Sequence, residues 1–129
     1  AVNYDFRTTI KGIMEKEDPN NAYEFTVPEK LKELYKTADY GRYGEDGTLY
    51  VGFISNNDIT GGNSGSPVIN GKGELVGLAF DGNWEAMSGN IAFEPELQRC
   101  ISVDVRYVLF VIDKYAGCTR IIDELDIVK

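Results

Sequence analysis

Residues 58–68, with the sequence DITGGNSGSPV, lead directly into residues 69–80, INGKGELVGLAF. The glycines around Ser64 have no Cβ, so they permit unusual backbone angles and let N–H groups approach a reacting carbonyl closely. A serine hydroxyl alone is a weak nucleophile, and serine hydrolases pair it with a base and with N–H donors for the oxyanion. This loop makes Ser64 the candidate nucleophile, with the backbone N–H groups of Gly62 and Ser64 as the candidate oxyanion hole.

The hexapeptide of residues 62–67, GNSGSP, resembles the Gly-Asp-Ser-Gly-Gly-Pro loop of chymotrypsin-like serine proteases. In the trypsin-like branch, that Asp forms an ion pair with a newly freed N-terminus, which Asn63 cannot do. The resemblance therefore points to the bacterial branch of the clan. Glutamyl endopeptidases share this hexapeptide, so it identifies the clan and not the family.

A longer match identifies the family. Residues 57–60 (NDIT), 80–89 (FDGNWEAMSG) and the stretch from 91–95 (IAFEP) to 106–115 (RYVLFVIDKY) resemble the dipeptidyl-peptidase 7 / 11 family of bacterial serine exopeptidases. These enzymes remove dipeptides from peptide N-termini. The resemblance implies a mainly β fold in which residues 1–129 form a single domain, the C-terminal β-barrel of a double-barrel, chymotrypsin-like (trypsin-like) serine peptidase. It also implies a closing α-helical segment over about residues 104–125 and one short additional helix.

The chain contains no histidine. A catalytic triad needs an imidazole to take the Ser64 proton and a carboxylate to orient that imidazole, so this chain cannot supply the base. The resemblance implies that the triad His and Asp lie in an N-terminal barrel of a longer parent polypeptide. It also implies an inserted helical domain that helps to hold the substrate amino terminus. We therefore expect the 129-residue piece to be inactive alone.

The resemblance places Phe80, Asp81 and Gly82 where the substrate backbone pairs with a strand and where the specificity pocket begins. In the acidic-selective branch of the family, an arginine stands at the position that Gly82 matches, where it would pair with a substrate carboxylate. Gly82 leaves the pocket uncharged, so we expect preference for a non-acidic, apolar second substrate residue, with peptides as substrates.

Two further residues near the loop leave alternatives open. Asp58 lies six residues before Ser64, where trypsin-like enzymes carry the carboxylate that selects basic side chains. Branches of the family with different preferences share an Asp here, so a turn cap or a hydrogen bond within the loop is the expected role. Trp84 is predicted either to border the pocket or to be a core aromatic residue.

Composition excludes several classes of partner. The net charge of -8 and the pI of about 4.5 argue against nucleic acid as a partner. The longest apolar run, residues 107–112, is far too short for a membrane span.

Two cysteines without histidine argue against a structural metal site, and no cofactor is expected. Cys100 and Cys118 are predicted either to form a disulfide or to be two buried thiols. The resemblance implies a periplasmic, cell-surface or secreted bacterial protein, and a homodimer of the full-length enzyme is compatible with it.

Local patterns predict the elements of the fold. Pro28 opens a short amphipathic helix that carries Leu31, Leu34 and Tyr35 on one face. In the loop of residues 37–47, Tyr40 and Tyr43 are predicted either to contact a peptide or another subunit, or to cover the core. Asp104 and Gly117 are predicted to bound a helix over residues 105–116. The predicted strands are residues 4–16, 49–55, 67–70, 74–80, 91–93 and 99–103, with turns at 46–47 and 70–73 and a last helical turn or two over 119–125.

Two other functions remain open at this point. A glutamyl-endopeptidase-like protease would use the same hexapeptide but cut internal peptide bonds. A non-catalytic peptide-binding module would keep the loop without using Ser64 for chemistry.

Overall fold

The computed structural model describes residues 5–88 and 94–128. The described residues group into two compact units, one made of residues 5–7, 52–88 and 94–105 and the other of residues 8–51 and 106–128. The first unit contains the Ser64 loop. The assignment of residues 1–129 to a single domain stays a prediction.

Five strands form one sheet in the order β1-β2-β5-β4-β3. Strands β2 and β5, β4 and β5, and β3 and β4 pair antiparallel. The predicted strands at 49–55, 67–70, 74–80 and 99–103 are confirmed, whereas the one predicted at 91–93 lies outside the described residues. The chymotrypsin-like barrel itself stays a prediction. The strands are β1 (Arg7–Thr9), β2 (Tyr50–Ser55), β3 (Ser66–Ile69), β4 (Leu75–Gly82) and β5 (Cys100–Asp104).

The β3–β4 hairpin forms through the predicted turn at residues 70–73. The Asn70 Oδ1 atom accepts hydrogen bonds from the N–H groups of Lys72 (2.9 Å) and Glu74 (3.1 Å). Gly73 has φ +80, a left-handed conformation that glycine adopts without steric penalty. The turn therefore returns the chain along β4 towards the Ser64 loop.

Close packing within the sheet fixes the position of β4. A Cβ at Gly77 would lie 2.7 Å from the Phe53 ring and 2.7 Å from the Val103 carbonyl oxygen. Because real Cβ atoms do not approach other atoms that closely, only glycine allows β4 to pack here. The Phe53 ring occupies the space that a side chain at residue 77 would need.

The second unit has an apolar core around Phe110, which is fully buried. The Tyr40 ring meets the Phe110 ring edge-on at 6.3 Å, and the Tyr107 ring stacks on it at 6.1 Å. Tyr40 and Tyr43 are 8% and 3% exposed, so they belong to the core and are not free to contact a peptide. The core consists of Ile10, Val27, Leu31, Tyr40, Tyr43, Leu49 and Phe110.

The prediction of a strand over residues 4–16 is wrong beyond Thr9, where helix α1 (Ile10–Glu15) follows β1. Ile10 is fully buried, and Ile13 and Met14 pack against the same core, a spacing of three and four residues that suits a helix. The weak alternation of polar and apolar residues predicted the wrong period. The fold thus has more short helices than the single additional one that was predicted.

The remaining helices follow the sequence signals closely. Helix α2 (Glu29–Lys36) begins directly after Pro28, with Leu31 buried, as predicted. Helix α3 (Val105–Phe110) directly follows Asp104 and continues as a π-helical turn, Val111–Tyr115, where a uniform α-helix was predicted. The Ala116 N–H donates to the Val111 carbonyl at 2.8 Å, the i→i−5 bond of a π-helix. Gly117 (φ +68) ends it, and α4 (Thr119–Asp123) gives the last predicted turn.

Tyr43 makes a buried polar contact inside the second unit. Its hydroxyl donates a 2.7 Å hydrogen bond to Asp113 Oδ2. Burial, together with this bond, raises the pKa of Tyr43 to about 12 from its ordinary 10.0. The folded protein therefore favours the neutral phenol, and the stability that this contributes is complete below pH 10 and is lost as the pH rises towards 12.

We predict that Tyr43→Phe lowers the free energy of unfolding near neutral pH by about 1.5 kcal/mol, because a hydrogen bond to a charged group is lost. Between pH 10 and 12 the variant should lose stability less steeply than the wild type. Urea unfolding across this pH range measures both effects. Burial also raises the pKa values of Tyr40 and Tyr107, so some decline remains in the variant. Equal slopes in the two proteins would contradict the prediction.

Candidate active site

A reciprocal pair of hydrogen bonds closes the candidate nucleophile loop. The Thr60 N–H donates to Asn63 Oδ1 at 2.9 Å, and the Asn63 N–H donates to the Thr60 carbonyl at 3.2 Å. Asn63 therefore fixes the turn that comes directly before Ser64. The sequence singled out Asn63 only as a replacement for Asp, and its hydrogen-bonding role was missed.

Two backbone bonds hold the other side of the loop. The Gly65 N–H donates to the Ala79 carbonyl of β4 at 2.7 Å, and the Ser66 N–H donates to the Asn63 carbonyl at 2.9 Å. Gly62 and Gly65 have φ +95 and +84, so both occupy the left-handed region that favours glycine. The chain on each side of Ser64 is thus tied down.

The N–H groups of Gly62 and Ser64 are available as donors. Within residues 5–88 and 94–128, neither N–H donates to a protein acceptor. Unpaired N–H groups on a constrained loop are what an oxyanion hole requires. Both groups belong to residues that the solvent reaches.

The Ser64 side chain is exposed. Its hydroxyl lies 3.4 Å from the Phe80 carbonyl oxygen, longer than the roughly 2.5–3.0 Å of an ordinary O–H···O bond. The hydroxyl is therefore only weakly held by this contact.

An open pocket of about 230 Å³ adjoins the hydroxyl. Residues 59–61, Ser64, residues 80–83 and Ala86 line it. Of these described residues, Asp81 alone carries an ionisable side chain, and its Oδ1 accepts the Gly82 N–H at 2.8 Å. The described lining thus combines apolar side chains, polar side chains and one carboxylate, and it includes no cation.

A β-bulge brings Phe80 to the pocket. In the β4–β5 pairing, Ala79 lies opposite Ser102 and Asp81 lies opposite Ile101, so Phe80 is the extra residue. Bulges bend a strand and change the direction of a side chain, and they are common beside active sites. The three residues predicted for substrate binding, Phe80, Asp81 and Gly82, all lie in the pocket wall.

Asn83 anchors the far end of this wall, a role that the sequence did not reveal. Its side-chain Nδ2 donates to the Leu97 carbonyl at 2.8 Å, and its Oδ1 accepts the Arg99 N–H at 2.9 Å. Its backbone N–H also donates to the Arg99 carbonyl at 3.0 Å. Asn83 therefore joins the end of β4 to the segment that precedes β5.

Two expectations about the loop's surroundings are wrong. Asp58 is exposed and makes no hydrogen bond among the described residues. The side-chain hydrogen bond within the loop, which was expected from Asp58, is made by Asn63. Trp84 is 80% exposed, so it is not a core residue, and it is not among the described residues that line the pocket. The described pocket lining does include Ile59, Thr60 and Ala86, which the sequence did not single out.

The structure also bears on the two cysteines, on a metal site and on membrane-spanning helices. Cys100 is a buried free thiol and Cys118 an exposed one, so neither the disulfide nor a pair of buried thiols is present. Within the described ranges, no cluster of three or more His, Cys, Asp and Glu side chains could hold a metal ion. The described helices also include none that could cross a lipid bilayer.

Comparisons of the sequence and the structure show which known proteins this chain resembles. A family model described as Peptidase S46 matches residues 1–127. Dipeptidyl-peptidase 7 of Phocaeicola vulgatus is 63% identical over 130 residues, which covers 100% of this chain and 18% of that protein. The Asp/Glu-specific dipeptidyl-peptidase of Porphyromonas endodontalis is 54% identical over 126 residues, 97% of this chain and 17% of that protein.

The crystal structure of Porphyromonas endodontalis DPP11 in complex with substrate gives a TM-score of 0.92 at 54% identity. The match covers 96% of this chain and 18% of that one. The chain therefore spans less than a fifth of the length of these relatives.

We predict that Asn63→Ala lowers the hydrogen-exchange protection of the Thr60 amide about 2–10-fold, because a hydrogen bond worth roughly 0.5–1.5 kcal/mol is lost. Asn63→Asp keeps an acceptor oxygen in the same place and is the matched control, in which protection should persist. Amide exchange followed by NMR measures the effect. Unchanged protection in Asn63→Ala would show that the side chain does not close the loop.

Proposed function

Because this chain belongs to the peptidase S46 family, we propose that it carries the nucleophile of a serine-type dipeptidyl-peptidase. The observation that carries the proposal is an exposed Ser64 hydroxyl beside a pocket, next to two N–H groups that have no acceptor among the described residues. Several relatives at 48–63% identity are themselves named dipeptidyl-peptidases. Family and loop geometry thus support the same chemistry.

In this proposal, Ser64 Oγ attacks the carbonyl carbon of the second substrate residue while a base takes the hydroxyl proton. The negative charge that develops on the carbonyl oxygen is stabilised by the N–H groups of Gly62 and Ser64, and removing one such donor typically lowers the rate about 10²–10³-fold. The C–N bond then breaks, and the leaving amine takes up the proton from the base. Water hydrolyses the resulting ester between Ser64 and the dipeptide.

The base must come from outside this chain, which has no histidine. We assign the triad His and Asp, and the helical domain that holds the substrate amino terminus, to the rest of the parent polypeptide. The small share of the relatives' length that this chain spans supports this assignment. A periplasmic, cell-surface or secreted location and a homodimer of the full-length enzyme remain predictions, to be tested by cell fractionation and by light scattering.

The preferred substrate is proposed to have a non-acidic, apolar second residue. No described residue of the pocket carries a positive charge, and Asp81 would repel a substrate carboxylate. Some relatives are named Asp/Glu-specific and others are not. According to the family resemblance, the acidic-selective branch carries an arginine where this chain has Gly82. The pocket chemistry therefore supports the non-acidic class.

We predict that Ser64→Ala in the full-length protein removes turnover of dipeptidyl chromogenic substrates, with a loss in kcat on the order of 10⁶, because the nucleophile is gone. Ser66→Ala, two residues further along the chain at the start of β3, is the matched control and should retain most activity. The 129-residue chain alone should show no turnover, since it lacks a base. Full turnover in Ser64→Ala would contradict Ser64 as the nucleophile, and a wild-type protein that binds peptides without turnover would favour a binding module. Cleavage of N-terminally blocked peptides would favour a glutamyl-endopeptidase-like enzyme.

A second prediction concerns the charge of the pocket. The full-length enzyme should have a kcat/KM at least about tenfold higher for substrates whose second residue is Leu than for those with Glu. Steady-state kinetics on paired substrates that differ only at this residue give the ratio. A ratio below one would contradict the proposed preference.

A further inference from the structure

Position 82 has ordinary backbone geometry but no room for a side chain. Gly82 is not among the glycines with positive φ. A Cβ built on it would lie 2.7 Å from the Ala86 Cβ and 3.6 Å from Ile59 Cγ2. The first distance is shorter than real Cβ atoms show, whereas the second is an ordinary contact. The methyl group of Ala86 therefore occupies the space that a side chain on residue 82 would enter.

Hydrogen bonds keep Ala86 in this place. It lies in the short 3₁₀-helix Trp84–Ser88, and its N–H donates to the Asn83 carbonyl at 2.9 Å. Asn83 is itself bonded to Leu97 and Arg99 through its side chain and its backbone. A movement of Ala86 away from Gly82 would therefore stretch its hydrogen bond to Asn83, a residue that is itself held in place.

The Ala86 methyl group also faces the substrate side of the wall. Ala86 lines the pocket together with Ile59 and Gly82, none of which has a charged side chain. The one ionisable group of the described lining is the Asp81 carboxylate, which accepts the Gly82 N–H at 2.8 Å. Where a substrate side chain packs against apolar groups such as those of Ile59 and Ala86, one additional methylene changes selectivity by roughly 10–200-fold. A side chain at position 86 is therefore placed to set how large a substrate residue can enter.

We propose that Ala86 is a specificity-determining residue that limits the size of the second substrate side chain. A side chain at position 82 and the methyl group at position 86 would occupy the same space. This inference rests on the proposed dipeptidyl-peptidase function and deepens it. The substrate class is a side chain that is apolar and fits against a methyl group. Any side chain on residue 82, including a charged one, requires residue 86 to give up its methyl group or the helical turn to move.

The first test uses the full-length protein and substrates whose second residue is Ala, Leu or Phe. Ala86→Val should lower kcat/KM for Leu and Phe relative to Ala by at least about tenfold, because the added methyl groups take up pocket space. Ala86→Gly should raise the Phe-to-Ala ratio several-fold. Ala22→Val, the same exchange at an exposed position in the other unit, is the matched control and should leave the ratios unchanged.

The second test exchanges the methyl group between the two positions. Gly82→Ala alone should reduce kcat/KM for all three substrates, because its Cβ would collide with Ala86. Gly82→Ala combined with Ala86→Gly should recover most of that loss, since only one methyl group then occupies the shared space. A double-mutant cycle measures this coupling, which is expected for residues in contact.

The outcomes separate this inference from the proposed function. An active wild-type enzyme whose substrate ratios do not change in Ala86→Val and Ala86→Gly would overturn the role of Ala86 and leave the function intact. Additive effects in the double-mutant cycle would overturn the shared space. A wild-type enzyme that turns over none of the three substrates, with the Ser64→Ala variant indistinguishable from it, would instead overturn the proposed function on which this inference rests.

Discussion

The hydrogen bond from the Gly65 N–H to the Ala79 carbonyl, 2.7 Å long, joins the Ser64 loop to β4. Serine chemistry needs a hydroxyl and two N–H groups fixed relative to one another, and a free glycine-rich loop would not hold them. This bond works together with the Thr60–Asn63 pair on the other side of the loop. Because both ends are held by the fold, Ser64 can be exposed without being mobile, which is the preorganisation that catalysis uses.

The same strand also builds the pocket. The bulge at Phe80 interrupts the pairing of β4 with β5 directly after the residue that holds the loop. The next residues then form the pocket wall, and Asn83 fastens its end to the segment before β5. A single strand thus positions both the candidate nucleophile and the pocket wall that is proposed to select the substrate, so a shift of β4 would change both together.

Sequence patterns predicted what depends on neighbours along the chain. The β3–β4 hairpin, the helix after Pro28 and the stop at Gly117 each follow from local turn or cap chemistry, and each is present. A weak alternation of polar and apolar residues predicted one strand over residues 4–16, but residues 10–15 form a helix whose first residue, Ile10, packs into the core. The π-helical turn likewise depends on backbone bonding that composition does not encode.

In the candidate site, the loop sequence identified Ser64, and the family resemblance identified the pocket residues Phe80, Asp81 and Gly82. Asn83 and Ala86 could not be identified in this way, because their roles arise from long-range contacts between residues 83 and 97–99 and from one close approach to Gly82. For Asp58, by contrast, the sequence suggested a role that the structure does not contain. Its spacing from Ser64 suggested a role in the loop, but its side chain is exposed and Asn63 makes the bond.

In the proposed function, groups from the rest of the polypeptide activate Ser64 as a nucleophile. Labelling the full-length protein with a serine-directed dipeptidyl phosphonate, followed by peptide mass spectrometry, tests this most directly. We expect one covalent adduct, located on Ser64, whose appearance parallels the loss of peptidase activity. Complete inhibition with the adduct on another residue, or with Ser64 unmodified, would contradict the claim.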